Sequence, residues 1–289
     1  MNGTPTGASL SVRQLLDKHN LRPRKGLGQH FLADPNILRK IVEAAELSPD
    51  VVALEIGPGL GTLTRWLAES AGYVVAVELD EGMLALLREE LADLPNLELV
   101  QGDILELDPV TLIRDLSSSD LGSQPVYTAV ANLPYYITSA AIRHLLEAEP
   151  PPNRLALTVQ LEVARRIVAK PGDMSLLAVS VQFYGRPRIV AKIPAGAFVP
   201  PPKVDSAVVR IDTYDTPLVA GPDAEVFFRV VRAGFGQKRK QLKNALAAGL
   251  GLPPADVSAI IARAGIEPQR RAQTLSLAEW ADLAREFGS

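Results

Sequence analysis

The chain has 289 residues, 47% of them hydrophobic, which supplies a sizeable core for one large domain or two. Zero cysteines exclude a disulfide framework and thiolate metal sites, and the three scattered histidines, His19, His30 and His144, make no zinc-ligand set, so no metal is expected. The net charge of −3 hides a strong polarity: residues 46–120 hold sixteen acids against three bases, a balance of −13, so the rest of the chain carries +10.

The first element is a basic arm over residues 1–25. Its segment "RQLLDKHNLRPRK" has five basic residues and one acid. Asp17 argues against a transit peptide, no secretory signal core is present, and no apolar run approaches the roughly 18 residues of a membrane helix, so a cytoplasmic protein with no membrane contact is expected. From residue 51 short apolar runs alternate with helical patterns: "VVALEIG" and a helix after Gly61, "YVVAVELD" and "EGMLALLREELADL", "LELVQGD", "YTAVANLP" and "TSAAIRHLLEAE", then "RLALTVQ". Strands that are apolar throughout and followed by helices describe a parallel sheet covered on both faces, a doubly wound, Rossmann-like α/β fold. "DLSSSDLGSQP" reads as a surface loop within it. "SLLAVSVQFYG" and "VDSAVVRID" read as two further strands joined by the Pro-rich "IPAGAFVPPPKV", an antiparallel addition at one edge. Beyond the linker "TYDTPLVAGPD" the pattern is wholly helical, which predicts a main domain over 26–213 and a smaller, all-α C-terminal domain over 222–289.

Within the first domain, "LEIGPGLGTLT" sets Gly57, Gly59 and Gly61 between a strand and a helix, where glycines let a backbone approach a ligand. A tight turn with no ligand would look the same; the added signal is Glu78, at the end of the next strand, where an acid can take both hydroxyls of an adenosine ribose. A nicotinamide dinucleotide and S-adenosylmethionine both suit this arrangement. The G-x-G-x-G spacing, rather than the G-x-G-x-x-G that seats a pyrophosphate, favours the sulfonium cofactor, and Asp103 after the third strand can accept from the adenine amine.

"AVANLPYYITSAAI" begins as a buried strand and ends in Asn132, Pro134 and two tyrosines. A core strand has no use for an amide at its tip, and Pro134 gives up a ladder hydrogen bond, so these groups are expected to serve something outside the fold. Together with "KGLGQHFL", "VELD", "QGDILE", "FVPPPKVDSAV", "KRKQLKNAL" and "RAQTLSLAEW", in this order, the sequence resembles the small-subunit ribosomal RNA adenine N6-dimethyltransferases over most of its length.

The resemblance implies a class I methyltransferase fold and cofactor contacts from His30, Leu32, Gly57, Glu78, Asp103 and Asn132; His30 stands where many members have Asn. It implies that the Asn132 side-chain oxygen and the Pro134 carbonyl accept the two N6 protons of a target adenine, so that orientation rather than a strong base carries the rate. Tyr135 and Phe198 are expected to stack on the flipped base through their ring faces, without use of the Tyr135 hydroxyl, and Tyr136 to pack in the fold. Arg229, Arg232, Lys238, Arg239, Lys240 and Lys243, six bases without an acid, read with "FGQKRKQLKNAL" as part of a basic helix that grips RNA phosphates, helped by Arg22, Arg24 and Lys25 of the arm.

The reading is therefore a monomeric enzyme that dimethylates two adjacent adenosines in the 3′-terminal hairpin of small-subunit rRNA, in an immature ribosomal subunit. Two rivals are a large-subunit methylase of the macrolide-resistance type, for which a different C-terminal domain is expected, and a non-catalytic RNA-binding assembly or transcription factor, against which the intact Asn-Leu-Pro-Tyr argues.

Overall fold

The structure, a computed structural model, describes residues 11–24, 26, 28–32, 34–116, 126–216 and 224–288. Residues 1–10 and Lys25 of the basic arm, most of "DLSSSDLGSQP" and part of the linker lie outside the described residues.

In chain order the elements are α1 (Val12–Lys18), β1 (Phe31–Leu32), α2 (Pro35–Ala45), β2 (Val52–Ile56), α3 (Thr62–Ala68), β3 (Tyr73–Glu78), α4 (Glu81–Glu90), β4 (Leu97–Gln101), α5 (Pro109–Leu116), β5 (Tyr127–Asn132), α6 (Thr138–Leu146), β6 (Arg154–Gln160), α7 (Leu161–Ile167), α8 (Leu176–Tyr184), β7 (Gly185–Ile193), β8 (Phe198–Val199), β9 (Ser206–Thr213), α9 (Ala224–Phe235), α10 (Leu242–Leu250), α11 (Pro254–Arg263) and α12 (Leu277–Gly288). The chain forms two compact units: one runs to Ala164 and resumes over Arg188–Thr213, and the other takes Arg165–Pro187 and the residues from Tyr214 onward. The helical unit thus claims residues 165–187, which the sequence pattern assigns to the first domain.

The first unit is built on a sheet of order β4-β3-β2-β5-β6-β9-β7. Its first five strands are parallel, as the apolar runs predict, and β9 joins antiparallel to β6. Strand β2 is buried at every position because helices cover both faces. The chain leaves β2 for β3 and β4 and then returns to pair β5 on the other side of β2, so the sheet reverses direction between β2 and β5; a crevice opens at the carboxyl ends of strands at such a point.

The described part of the basic arm is not a free tail. Residues 12–18 form a helix with a capping box between Ser11 and Gln14. Its apolar face of Val12, Leu15 and Leu16 is buried with Met83, Leu86 and Leu87 of α4, and Lys18 Nζ lies 3.0 Å from Glu89 and 2.6 Å from Glu90.

The expected strand over "SLLAVSVQFYG" is helix α8. Ser175 caps it by accepting from the Ala178 N–H, and Ala178, Val179 and Phe183 turn its buried face into the core of the second unit. The edge strand begins where that helix stops, at Gly185.

In the second unit α8, α9, α10 and α12 enclose one core. Trp280 is fully buried at its centre, and it fits because Gly234 lacks a side chain: a Cβ there would stand 2.4 Å from the indole ring. The predicted basic helix is a turn followed by a helix. Gln241 is the N-cap of α10, so Lys238, Arg239 and Lys240 precede the helix and only Lys243 lies on it.

Candidate active site

A cleft in the first unit lies over the ends of β2 and β5. Its lining includes Gly57, Gly59, Glu55, Glu78, Asp103, His30, Leu32, Asn132, Pro134, Tyr135 and Phe198, so nearly all the residues expected to touch cofactor or base come together. Gly61, at the N-cap of α3, is set behind them and packs towards Leu87 and Leu91 instead.

The glycine turn explains its composition. Gly57 has φ +68°, a conformation L side chains rarely adopt, and a Cβ there would meet nothing within 4 Å. The open space beside its Cα is therefore cleft, kept free for a ligand. Glu78, buried at the end of β3, accepts from the Gly59 N–H at 3.2 Å and the Asp80 N–H at 2.8 Å. Burial raises its pKa, partly opposed by these amides. Asp103 accepts from Leu105 N–H at 2.9 Å.

A third carboxyl, Glu55, escapes sequence reasoning. It sits in the middle of the buried strand β2, 1% exposed, and its Oε2 has no hydrogen-bond partner among the described residues. Burial pushes its pKa up to about 8. The available signal is an acid inside "VALEI", where every other residue is apolar. Glu78 and Asp103 bring two acceptors to the cleft, which fit the ribose hydroxyls and adenine amine of S-adenosylmethionine, while Glu55, protonated below about pH 8, lines the cleft as a neutral group.

At the tip of β5, the Asn132 Nδ2 donates to the His30 carbonyl at 2.9 Å. A carbonyl can only accept, so the amide orientation is fixed and Oδ1 is the acceptor left to the cleft. The Pro134 carbonyl, expected as the second acceptor, already takes the Ile137 N–H at 3.2 Å and the Thr138 hydroxyl at 3.3 Å. The neighbouring Leu133 carbonyl receives no hydrogen bond among the described residues.

Tyr135 is anchored through its hydroxyl, 2.8 Å from Ser206 Oγ, which the expectation of a purely facial role overlooked. The His30 ring lies against it at a centroid distance of 6.0 Å and 24° between planes, with Nδ1 2.8 Å from the Pro200 carbonyl. Phe198 is buried and pairs with Leu32 in the small β1–β8 sheet. Tyr136 is not a packing residue: it is 61% exposed, at the cleft mouth.

Of the bases expected on RNA, Arg24 is partly committed elsewhere, its Nη1 3.2 Å from the buried carboxylate of Asp80. Arg22 is exposed, and Lys25 lies outside the described residues. In the second unit Arg229 and Arg232 are exposed one turn apart on α9 and line a shallow groove with Gly236 and Gln237. Lys238, Arg239 and Lys240 are exposed in the following turn and Lys243 is half-buried. None of these six has an ion-pair partner among the described residues.

A doubly wound sheet with this glycine turn, an acid at the end of the next strand and an Asn-Leu-Pro-Tyr tip define a class I, S-adenosylmethionine-dependent methyltransferase. The chain belongs to the family described as "Ribosomal RNA adenine dimethylase", whose model matches residues 20–288. The protein named ribosomal RNA small subunit methyltransferase A in Dehalococcoides mccartyi is 47% identical over 278 residues, covering 96% of this chain and 92% of that one. Its namesake in Moorella thermoacetica is 45% identical over 273 residues, 94% of each chain. Among solved structures, the 23S rRNA methyltransferase ErmE superposes with a TM-score of 0.70 at 32% identity, covering 90% of this chain and 100% of that one. A dimethyladenosine transferase from Plasmodium falciparum gives a TM-score of 0.74 at 25% identity, covering 90% and 98%. Among the described residues no single helix is long and apolar enough to cross a membrane.

Proposed function

We propose that this enzyme transfers methyl groups to N6 of two adjacent adenosines in the 3′-terminal hairpin of small-subunit rRNA, acting as a cytoplasmic monomer on an immature ribosomal subunit. The names of its relatives support the small-subunit substrate. The observation that carries the chemistry is the Asn132 amide, whose nitrogen is held by His30 so that its oxygen faces the cleft as a fixed acceptor.

Bound S-adenosylmethionine supplies an electrophilic methyl group. Gly57 would leave room for it, Glu78 would take its ribose and Asp103 its adenine, with His30 and Leu32 lining the same wall; Glu55, protonated in the fold below about pH 8, would meet it as a neutral hydrogen-bonding group. Adenine N6 is a weak nucleophile because its lone pair is delocalised into the ring. Asn132 Oδ1 accepts one N6 proton and a carbonyl of the Leu133–Pro134 pair accepts the other, with Leu133 the less encumbered of the two. That holds the amine with its lone pair directed at the methyl donor, and the methylated, acidic ammonium then releases its extra proton to solvent, so positioning rather than a strong base carries the rate. Tyr135 and Phe198 stack on the base and offset the cost of extruding it, at about 1–3 kcal/mol per stacked face.

Arg229, Arg232, Lys238, Arg239, Lys240 and Lys243 grip RNA phosphates, with Arg22 and Lys25 assisting from the arm. The first-turn amides of α10 donate to the carbonyls of Arg270 and Pro268, so this grip rests on side chains rather than on a helix terminus. The test is to incubate the protein and labelled cofactor with unmethylated small subunits and, separately, with large subunits, and to map the modified base. Label on two adjacent adenosines near the 3′ end of the small-subunit rRNA supports the reading; label confined to large subunits, or none, overturns it.

A further inference from the structure

The two aromatic residues read as walls for the target base are each tied to one of two consecutive residues. Ser206 opens β9 opposite Gln160 of β6, is fully buried, and meets the Tyr135 hydroxyl through its Oγ at 2.8 Å. Asp205, one residue earlier, accepts the Ala195 N–H on its Oδ1 at 3.0 Å. Ala195 begins the single 3₁₀ turn Ala195–Ala197 that delivers Phe198. The Asp205 carbonyl accepts from Leu161 N–H at 3.0 Å, which fixes the dipeptide to the end of β6.

Packing alone does not call for this arrangement. A buried serine facing a tyrosine hydroxyl must find a partner or lose free energy, whereas an alanine facing a phenylalanine would fill similar space with nothing to satisfy. What the polar pair adds is direction: a ring hinged at Cα and tied at its hydroxyl cannot swing out of plane. Successive side chains at the start of a strand point opposite ways, so one dipeptide reaches both walls.

We propose that Asp205 and Ser206 are positioning residues that set the Tyr135 and Phe198 rings at the spacing of a flipped adenine. This rests on the reading of those two rings as the base's stacking partners. Ser206 acts through Tyr135, so its loss and the loss of the Tyr135 hydroxyl are the same event. Asp205 acts through a main-chain N–H, so any side chain that keeps an acceptor oxygen there serves.

The experiment is a double-mutant cycle on the full chain, with S206A, Y135F and the combined variant, and D205A and D205N alongside. The readouts are methyl transfer to unmethylated small subunits, cofactor affinity and thermal midpoint. S206A and Y135F should each lower kcat about tenfold, leaving KM for the subunit and cofactor affinity unchanged, and the combined variant should be no worse than either. D205A should fall about as far, with D205N restoring most of the rate. Losses that multiply in the combined variant, or an S206A rate equal to wild type, overturn the proposal for Ser206; D205N as slow as D205A overturns it for Asp205. Y135F breaks the same hydrogen bond from the cleft side, so it keeps the test decisive if S206A fails to fold. A wild-type protein that does not methylate small subunits would instead remove the underlying reading.

Discussion

Asn132 and His30, 102 residues apart in sequence, are joined by a 2.9 Å hydrogen bond from the Asn132 side-chain nitrogen to the His30 carbonyl. This one bond decides which end of the amide meets the substrate. Asn132→Ala should cut methyl transfer by about 100-fold or more, because it removes an acceptor that orients the nucleophile. Asn132→Asp should be as inactive, since a carboxylate cannot donate to the His30 carbonyl and is turned away by it. Cofactor affinity should fall less than the rate, since Asn132 is one of several contacts the cleft offers, and the thermal midpoint should change little, as Asn132 is partly exposed at a strand tip. Single-turnover assays on unmethylated subunits would check this, and near-normal turnover in either variant would remove Asn132 from the chemistry.

The sheet was legible because β2, β3, β5 and β6 are apolar runs of the right length, and the cofactor residues because they sit at strand ends in fixed order. Helix α8 was not, since Val179, Ser180, Val181, Gln182 and Phe183 alternate apolar and polar residues with the period of a strand. The strand that follows it alternates buried and exposed residues but carries Pro187, which obscures it. What the site adds beyond its motifs comes from pairings that local sequence cannot display: Tyr135 with Ser206, His30 with Pro200, and the N-terminal Arg24 with Asp80.

Glu55 should make stability depend on pH. Its folded value is raised to about 8 from an ordinary 4.5, so between those values the native state holds a proton that the unfolded chain has released. Stability then falls as pH rises through that window and levels off above about 8. Glu55→Gln removes the titration, and its thermal midpoint relative to wild type should climb between pH 5 and pH 8. A constant difference across that range would mean that Glu55 is not protonated in the folded protein.

Arg24 is expected to report on the cofactor rather than on RNA. Its partner Asp80 has 2% of its side chain exposed, caps α4, and donates its N–H to Glu78. Arg24→Ala should weaken S-adenosylmethionine binding by about two- to fivefold, the scale of an exposed ion pair, with subunit affinity unchanged. Calorimetry with the cofactor and a separate subunit-binding assay distinguish the two; weakened subunit binding with intact cofactor affinity would return Arg24 to the RNA surface.

The basic residues of the second unit should separate grip from chemistry. Arg229, Arg232, Lys238, Arg239, Lys240 and Lys243 have no acidic partner among the described residues, and the acid-lined cleft lies in the first unit. Neutralising Arg229, Arg232 and Lys240 together should therefore weaken subunit binding and flatten its log-log salt dependence by about 0.7–0.9 for each phosphate that is no longer neutralised, while S-adenosylmethionine binding stays as in wild type. Methyl transfer at saturating subunit should recover, because the groups that orient N6 are untouched. The converse behaviour belongs to Asn132→Ala, which should bind subunits normally and fail to methylate them. Unchanged subunit affinity and an unchanged salt slope in the neutralised variant would show that these charges only solvate a surface, and that the substrate is held by the first unit alone.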